Sequence, residues 1–177
     1  MEIPGAAIRD ISDTALSWRP PVESDHGRVL AVLDRWWGRL GGDEGTRQRA
    51  SLLPRLFFQH FTDTSFVVER DGELVAFLIG FLSQSRPDEA YIHFVGVAPE
   101  WQHHGLGRRL YQQYFDLVGR QHGRTVVRAI TSVENTESQA FHRRMGFTAE
   151  CGPQDIQYPD YDGPGLDRVT FVRTMKQ

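Results

Sequence analysis

One cysteine and one lysine are all that this chain of 177 residues holds of two common reactive side chains. Cys151 has no second thiol to pair with, so an intrachain disulfide is excluded and a cytoplasmic setting is expected. Lys176 is the sole lysine. A P-loop needs a lysine after its glycine loop, and a protein kinase needs one on a strand, so both are excluded; a Schiff-base enzyme is disfavoured on the same ground. No Gly-x-Gly-x-x-Gly occurs, which removes a Rossmann dinucleotide site. Long apolar runs are missing too, since none approaches the roughly 20 residues of a membrane-spanning helix. The opening Met1-Glu-Ile-Pro-Gly lacks a basic segment followed by a hydrophobic one, so neither a signal peptide nor an anchor is read there. An excess of positive charge is missing as well. A formal net charge of −3 leaves no basic footprint for a nucleic-acid backbone. His103 and His104 are adjacent, with no His-x-x-x-His spacing and no partner cysteine, so no metal site is expected.

What is present suffices for one globular domain over residues 1–177, because 40% of the chain is hydrophobic and 11% aromatic. Alternation over 15–19 predicts a first strand. Ser24 or Asp25 can cap a helix carrying Val29, Leu30, Val32, Leu33, Trp36 and Trp37, which stops at Gly41-Gly42. A second helix is expected from Asp43 or Glu44 toward His60, kinked or divided at Pro54. Residues 65–70 and 74–81 read as a hairpin about Asp71-Gly72. A strand at 90–97, a helix at 105–120, a strand at 125–131, a short helix at 136–145 and a final strand at 168–174 complete the series. A Gly/Pro/Asp-rich loop lies between Cys151 and Asp167. The order β-α-α-β-β-β-α-β-α-β is mixed α/β, and a strand–helix–strand passage favours a parallel pair.

Residues 97–110 carry the most information. Val97-Ala-Pro-Glu-Trp-Gln-His-His-Gly-Leu-Gly-Arg-Arg-Leu leaves an apolar strand, turns at Pro99, passes Gln102 to Gly105 and Gly107, and enters an amphipathic helix. A strand that runs through glycines into a helix start gathers unpaired N–H groups and the positive end of the helix dipole, which suits a phosphate. Farther on, Asn135, Ser138, Phe141, His142, Gly146 and Phe147 form a second pattern. The Gln-x-x-Gly-x-Gly after Val-x-Pro, followed by this second motif, resembles the GNAT family of N-acetyltransferases. The likeness is clear over residues 64–147. The usual Tyr of the second motif is replaced by His142.

The resemblance implies a mostly antiparallel central sheet flanked by helices, in which the parallel pair 90–97 and 125–131 splays to admit acetyl-CoA. It divides the chain into a first strand and helical acceptor-side region (13–62), an acetyl-CoA-binding core (64–147) and a C-terminal loop and strand (148–177). It implies that N–H groups of Gln102, His103, His104, Gly105, Leu106, Gly107 and Arg108 receive the pyrophosphate, with Arg108 or Arg109 adding charge. The backbone of Val95, Gly96 and Val97 would pair with the pantetheine arm as with another strand, the Val97 N–H serving as an oxyanion donor. Asn135 would bond the pantetheine or a strand carbonyl, or else cap a helix, and Ser138 would let the cofactor lie close.

The implied activity is transfer of an acetyl group from acetyl-CoA to a primary amine of a small molecule or peptide, with no metal, nucleic acid or membrane involved. O-acetylation or a longer acyl donor stays open, as does a homodimer. His142 either protonates the departing thiolate or only contacts the cofactor while the thiolate leaves unaided. His93, placed by simple alternation on the Tyr91/Val95/Val97 face, is the first candidate base; Asp88, Glu89 or a water are alternatives. Trp36, Trp37, Phe57 and Phe58 can line an acceptor pocket or fill the core, and the acidic, aromatic loop 155–162 suits a cationic amine. The missing Tyr supports an alternative of another class, an acyl-CoA-binding regulatory protein with little or no turnover.

Overall fold

β1 (Ser17–Arg19) leads to α1 (Asp25–Trp37), α2 (Gly42–Ser51) and the single turn α3 (Phe57–His60). β2 (Phe66–Arg70), β3 (Glu73–Leu82) and β4 (Glu89–Val97) follow. α4 (Leu106–Asp116), continued by a π-helical turn at Leu117–Gln121, precedes β5 (Val126–Ser132), α5 (Thr136–Arg144), β6 (Thr148–Glu150) and β7 (Arg168–Thr174). This computed structural model describes residues 16–37, 41–150 and 158–175. Ala15 of the expected first strand, Cys151, residues 152–157 of the expected loop and Lys176 lie outside the described residues.

The strands form one sheet in the order β1-β2-β3-β4-β5-β7-β6. Every pairing is antiparallel except β4 with β5, the pair bridged by a helix, as the strand–helix–strand order requires. The β2–β3 turn holds Asp71 and Gly72 at φ 51° and 81°, the double left-handed conformation that suits a tight hairpin and favours these two residue types.

Helices cover both faces. Val29, Val32, Leu33 and Trp36 recur on one side of α1 and are buried. Trp36 stacks on Phe77 of β3 at 5.9 Å. On the opposite face Leu106, Leu110 and Tyr114 of α4 are buried at three- and four-residue spacing. Tyr114 presses against Gly80, where a Cβ would stand 2.4 Å from its ring. The expected second helix is divided: α2 ends at Ser51 and α3 starts at Phe57, with Pro54 between them unable to continue a helical hydrogen-bond ladder.

At the start of α1 the carboxylate of Asp25, 1% exposed, accepts from Arg19, Arg28 and the Val22 N–H. Burial alone would raise its pKa, but those donors outweigh burial and hold it at about 2. Glu69 of β2 accepts from both arginines, so this cluster ties β1, β2 and α1 together.

Candidate active site

The site begins with a phase slip in β4. Ile79 lies opposite Phe94 and Gly80 opposite Ile92, which leaves His93 as the extra residue of a bulge. An added residue reverses the alternation beyond it. Tyr91 stacks on Phe81 and His93 on Phe57, so both face α3. After the bulge, Phe94 meets Trp37 and Phe77, and a Cβ at Gly96 would meet the same two rings. Val97 is turned to the α4 face, its Cγ2 lying 3.8 Å from the Cβ position of Gly107. The expectation that His93 shares a face with Val95 and Val97 is therefore corrected: His93 keeps company with Tyr91, and the bulge sends Val95 and Val97 to the other side.

The slip also marks where the sheet opens. β4 pairs with β5 only from Glu89↔Val126 to Ile92↔Ala129. Beyond that point, among the described residues, β5 is paired only with β7, and β4 only with β3. The Ala98 N–H donates to Val75 on β3. Because successive amides along a strand point to opposite edges, the N–H and C=O groups of Val95 and Val97 face the opening. The Val97 carbonyl accepts from the side-chain amide of Gln102 at 3.1 Å, which closes the strand end. A cavity of about 630 Å³ occupies the opening, walled by residues 92–95, residues 130–135, Tyr111, Ser138 and His142, and reaching Trp37, Gln48, Arg49, Leu52 and residues 165–168 on the α1 side.

Gln102 leads into a turn in which His103 and Gly105 take φ 63° and 81°. Leu106 is buried and roots α4, whereas residues 102–105 and Arg108 are exposed. Among the described residues, no acceptor takes the backbone N–H groups of 103–108. They form the positive end of α4, and a Cβ at Gly107 would have ordinary contacts of 3.5–3.8 Å. The two arginines separate: the Arg109 guanidinium lies 5.1 Å from the Trp18 ring, while Arg108 stays in solvent. Asn135 accepts the Ser138 N–H at 3.0 Å and so caps α5.

Each candidate histidine is pinned by a main-chain carbonyl, which fixes its neutral tautomer. His93 Nε2 donates to Leu52 O at 2.5 Å, leaving Nδ1 as the basic nitrogen, with no partner among the described residues. Its ring stacks on Phe57 at 4.4 Å. Burial lowers its pKa, opposed by the Leu52 carbonyl and by the charge of Asp162. His142 is arranged the other way. Its Nδ1 donates to the Ser138 carbonyl at 2.8 Å, and its Nε2 lies 3.0 Å from the Tyr111 hydroxyl. The ring is 4% exposed and stacks on Phe171 at 4.8 Å. Burial pushes this imidazole down as well, against the pull of the Ser138 carbonyl. Tyr111 is a cavity-lining residue that sequence reasoning missed; at helical spacing from Gly107 it reads as one more core aromatic.

The remaining candidates lie farther away. Glu89 is bound by Arg128 at 2.7 Å, which holds its carboxyl below the usual range, and it lines a separate cavity of about 540 Å³ with Tyr91, Tyr158 and Tyr161. The Asp88 carbonyl accepts from Thr125 and Val126. Trp36 and Phe58 are core residues, whereas Trp37 lines the larger cavity with the Arg49 guanidinium 5.9 Å from its ring. In the acidic loop, Asp162 is paired with Arg168 at 2.6 Å, and residues 155–157 lie outside the described residues.

Comparison with known proteins bears on this arrangement. The model of the acetyltransferase (GNAT) family matches residues 29–147. An L-2,4-diaminobutyric acid acetyltransferase of Nocardia farcinica is 35% identical over 107 residues, 60% of this chain and 54% of that protein. The chain spans about half the length of the curated relatives it matches. Among solved structures, Ard1 from Thermoplasma volcanium superposes with a TM-score of 0.69 at 20% identity, over 92% of this chain and 99% of that one. The diaminobutyrate acetyltransferase EctA from Paenibacillus lautus, in complex with its substrate and coenzyme A, gives 0.67 at 20% identity, over 90% and 94%. These likenesses show the fold.

Proposed function

Because the chain belongs to the acetyltransferase (GNAT) family, we propose that it moves an acetyl group from acetyl-CoA to a primary amine by direct attack in a ternary complex. The observation that carries this reading is the open edge of β4, set beside the unpaired N–H groups of residues 103–108. The pyrophosphate lies on that turn, and the amide-bearing pantetheine arm runs along Val95, Gly96 and Val97 as an added strand. The N–H of Val97 then faces the thioester oxygen and stabilises the negative charge that develops there. Ser138 leaves room for the arm, and Asn135 holds the start of the helix beside it.

An ammonium must lose a proton before it can attack. We assign this step to His93, and three features support the assignment: its Nδ1 is unprotonated in the neutral ring, it lines the cavity, and it faces the side where α2, α3 and residues 165–168 converge. In this reading 13–62 is the acceptor side, 64–147 the acetyl-CoA side and 148–177 the C-terminal loop and strand of a single enzyme domain. The acceptor is a small molecule carrying an amine, worked on in the cytoplasm. The diaminobutyrate acetyltransferases among its relatives make L-2,4-diaminobutyric acid the first candidate. Arg49 in the cavity wall matches the carboxylate of such an amino acid.

Mixing the protein with acetyl-CoA and a panel of amines headed by L-2,4-diaminobutyric acid, and measuring free thiol together with the acetylated product, tests the reading. Thiol release coupled to an N-acetyl product is the expected result. Tight CoA binding with no thiol release for any amine would instead favour a regulatory acyl-CoA-binding protein, and absence of CoA binding would remove both.

A further inference from the structure

Where the family motif usually has a tyrosine on α5, this chain has His142, and a tyrosine arrives from another helix. Tyr111 of α4 and His142 of α5 both wall the cavity at the opening between β4 and β5. Their hydrogens can be assigned by elimination. The Ser138 carbonyl can only accept, so the proton of neutral His142 sits on Nδ1. Nε2 then holds a lone pair, and the Tyr111 hydroxyl 3.0 Å away is the donor. With its one proton committed to His142, the phenol oxygen still has lone pairs with which to accept. A ring nitrogen behind it can take what the oxygen passes on.

We propose that Tyr111 is a catalytic residue of the acetyl transfer and that, with His142 behind it, it relays the proton from the attacking nitrogen to the departing sulfur. The inference rests on the acetyltransferase reading above. His93 removes the first proton, the one that makes the amine neutral. Attack forms the N–C bond and leaves a second proton on a positively charged nitrogen. Tyr111 Oη accepts that proton while giving its own to His142 Nε2, so the imidazole becomes an imidazolium with Nδ1–H still on Ser138. When the adduct collapses, the C–S bond breaks and sulfur keeps the electron pair. Tyr111 protonates it while recovering a proton from His142 Nε2. The pair returns to its starting state, one proton has moved from nitrogen to sulfur, and nothing is oxidised or reduced.

The arrangement accounts for the absence of tyrosine from the α5 motif without loss of a hydroxyl at the opening. His142 is a positioning residue and proton reservoir, held by Ser138 and Phe171, and the hydroxyl in front of it is the group that meets the substrate.

Tyr111→Phe keeps the ring and its packing and removes only the oxygen. It is expected to lower kcat about 100-fold, with CoA affinity by calorimetry close to wild type and Tm lowered by a few degrees, because the buried Nε2 of His142 loses its donor. His142→Gln should lower kcat similarly, and the double variant should be no slower than the worse single one, because both act in one relay. The ¹⁵N shifts of the resting wild-type protein should show His142 protonated at Nδ1 and bare at Nε2, a measurement independent of turnover. A wild-type kcat in Tyr111→Phe, a loss of CoA affinity parallel to the loss of kcat, or a His142 protonated at Nε2 would each overturn the relay while leaving acetyl transfer in place. A wild-type protein that acetylates no amine overturns both.

Discussion

Gly80 and Tyr114 compete for the same volume. A Cβ on Gly80 would lie 2.4 Å from Cε2 and 2.9 Å from the hydroxyl of Tyr114. That hydroxyl shares its proton between the carbonyls of Phe81 and Tyr91, at 3.1 and 2.8 Å, and so joins β3 to β4 just before the bulge. Gly80→Ala should therefore destabilise the fold by about 2 kcal/mol through overpacking, and it should loosen the segment that carries His93. Chemical denaturation measures the first effect and amide exchange at residues 91–95 the second.

Gly105 and Gly107 should respond differently to alanine. Gly105 has φ 81° with open space around it, so Gly105→Ala meets backbone strain and costs about 1 kcal/mol. Gly107 has no positive φ and only ordinary contacts, so Gly107→Ala should be neutral or slightly stabilising in the folded protein. Gly105→Glu adds a negative charge at the proposed phosphate turn and should weaken CoA binding at least tenfold by calorimetry. An unchanged affinity in a folded Gly105→Glu protein would displace the phosphate from this turn.

The two arginines after the turn offer a paired test. Arg108→Ala should weaken CoA binding several-fold, with a difference that shrinks as salt is raised. Arg109→Ala should leave affinity nearly unchanged and lower stability modestly, because its guanidinium is occupied over Trp18. Titrations at two ionic strengths separate the two effects.

Stability should fall on mild acidification. His93 and His142 both have folded pKa values below the ordinary 6.5, so the unfolded chain binds more protons than the folded one. Their contribution is complete above pH 6.5 and is lost as the pH falls through that value toward the folded pKa values. A second loss, from Asp25, begins below its ordinary 3.8 and continues through about 2. Melting curves between pH 8 and 3 should show the first loss reduced in His142→Gln, while Asp25→Ala should cost about 3 kcal/mol near neutrality by leaving its arginines without a buried partner.

The proposed base has its own signature. The value of kcat/KM should rise with pH until His93 and the amine are both deprotonated, with the His93 inflection below the ordinary histidine value because burial outweighs the Leu52 carbonyl and the charge of Asp162. His93→Gln should abolish that inflection and leave CoA affinity intact. An identical profile in the variant would remove His93 from the mechanism.

Much of this was legible from local chemistry. Asp71-Gly72 announces its hairpin because few other pairs tolerate that turn, and Asn135 announces a helix start because its side chain accepts the amide of Ser138. The bulge at His93 is hidden because β4 is apolar on both faces, which leaves no alternation whose break could be seen. Tyr111 is hidden because its spacing on α4 equals that of a core residue, and its meaning comes from a histidine 31 positions away that only tertiary packing brings near. The short β6 is set by β7 beside it rather than by a pattern of its own.

The gap between β4 and β5 also has a mechanical side. The sheet consists of two leaves, β1 to β4 and β5 to β7, joined along only four register positions. At that seam Arg128 of β5 grips Glu89 of β4 at 2.7 Å, a latch at the closed end, while the far end has no main-chain rungs among the described residues. Such a joint resists shear but leaves the leaves able to flex about the seam. A molecule that bonds both lips works as a brace, so occupancy and stiffness rise together. Ligand saturation should then slow exchange of amides on both leaves, including positions that the ligand never touches.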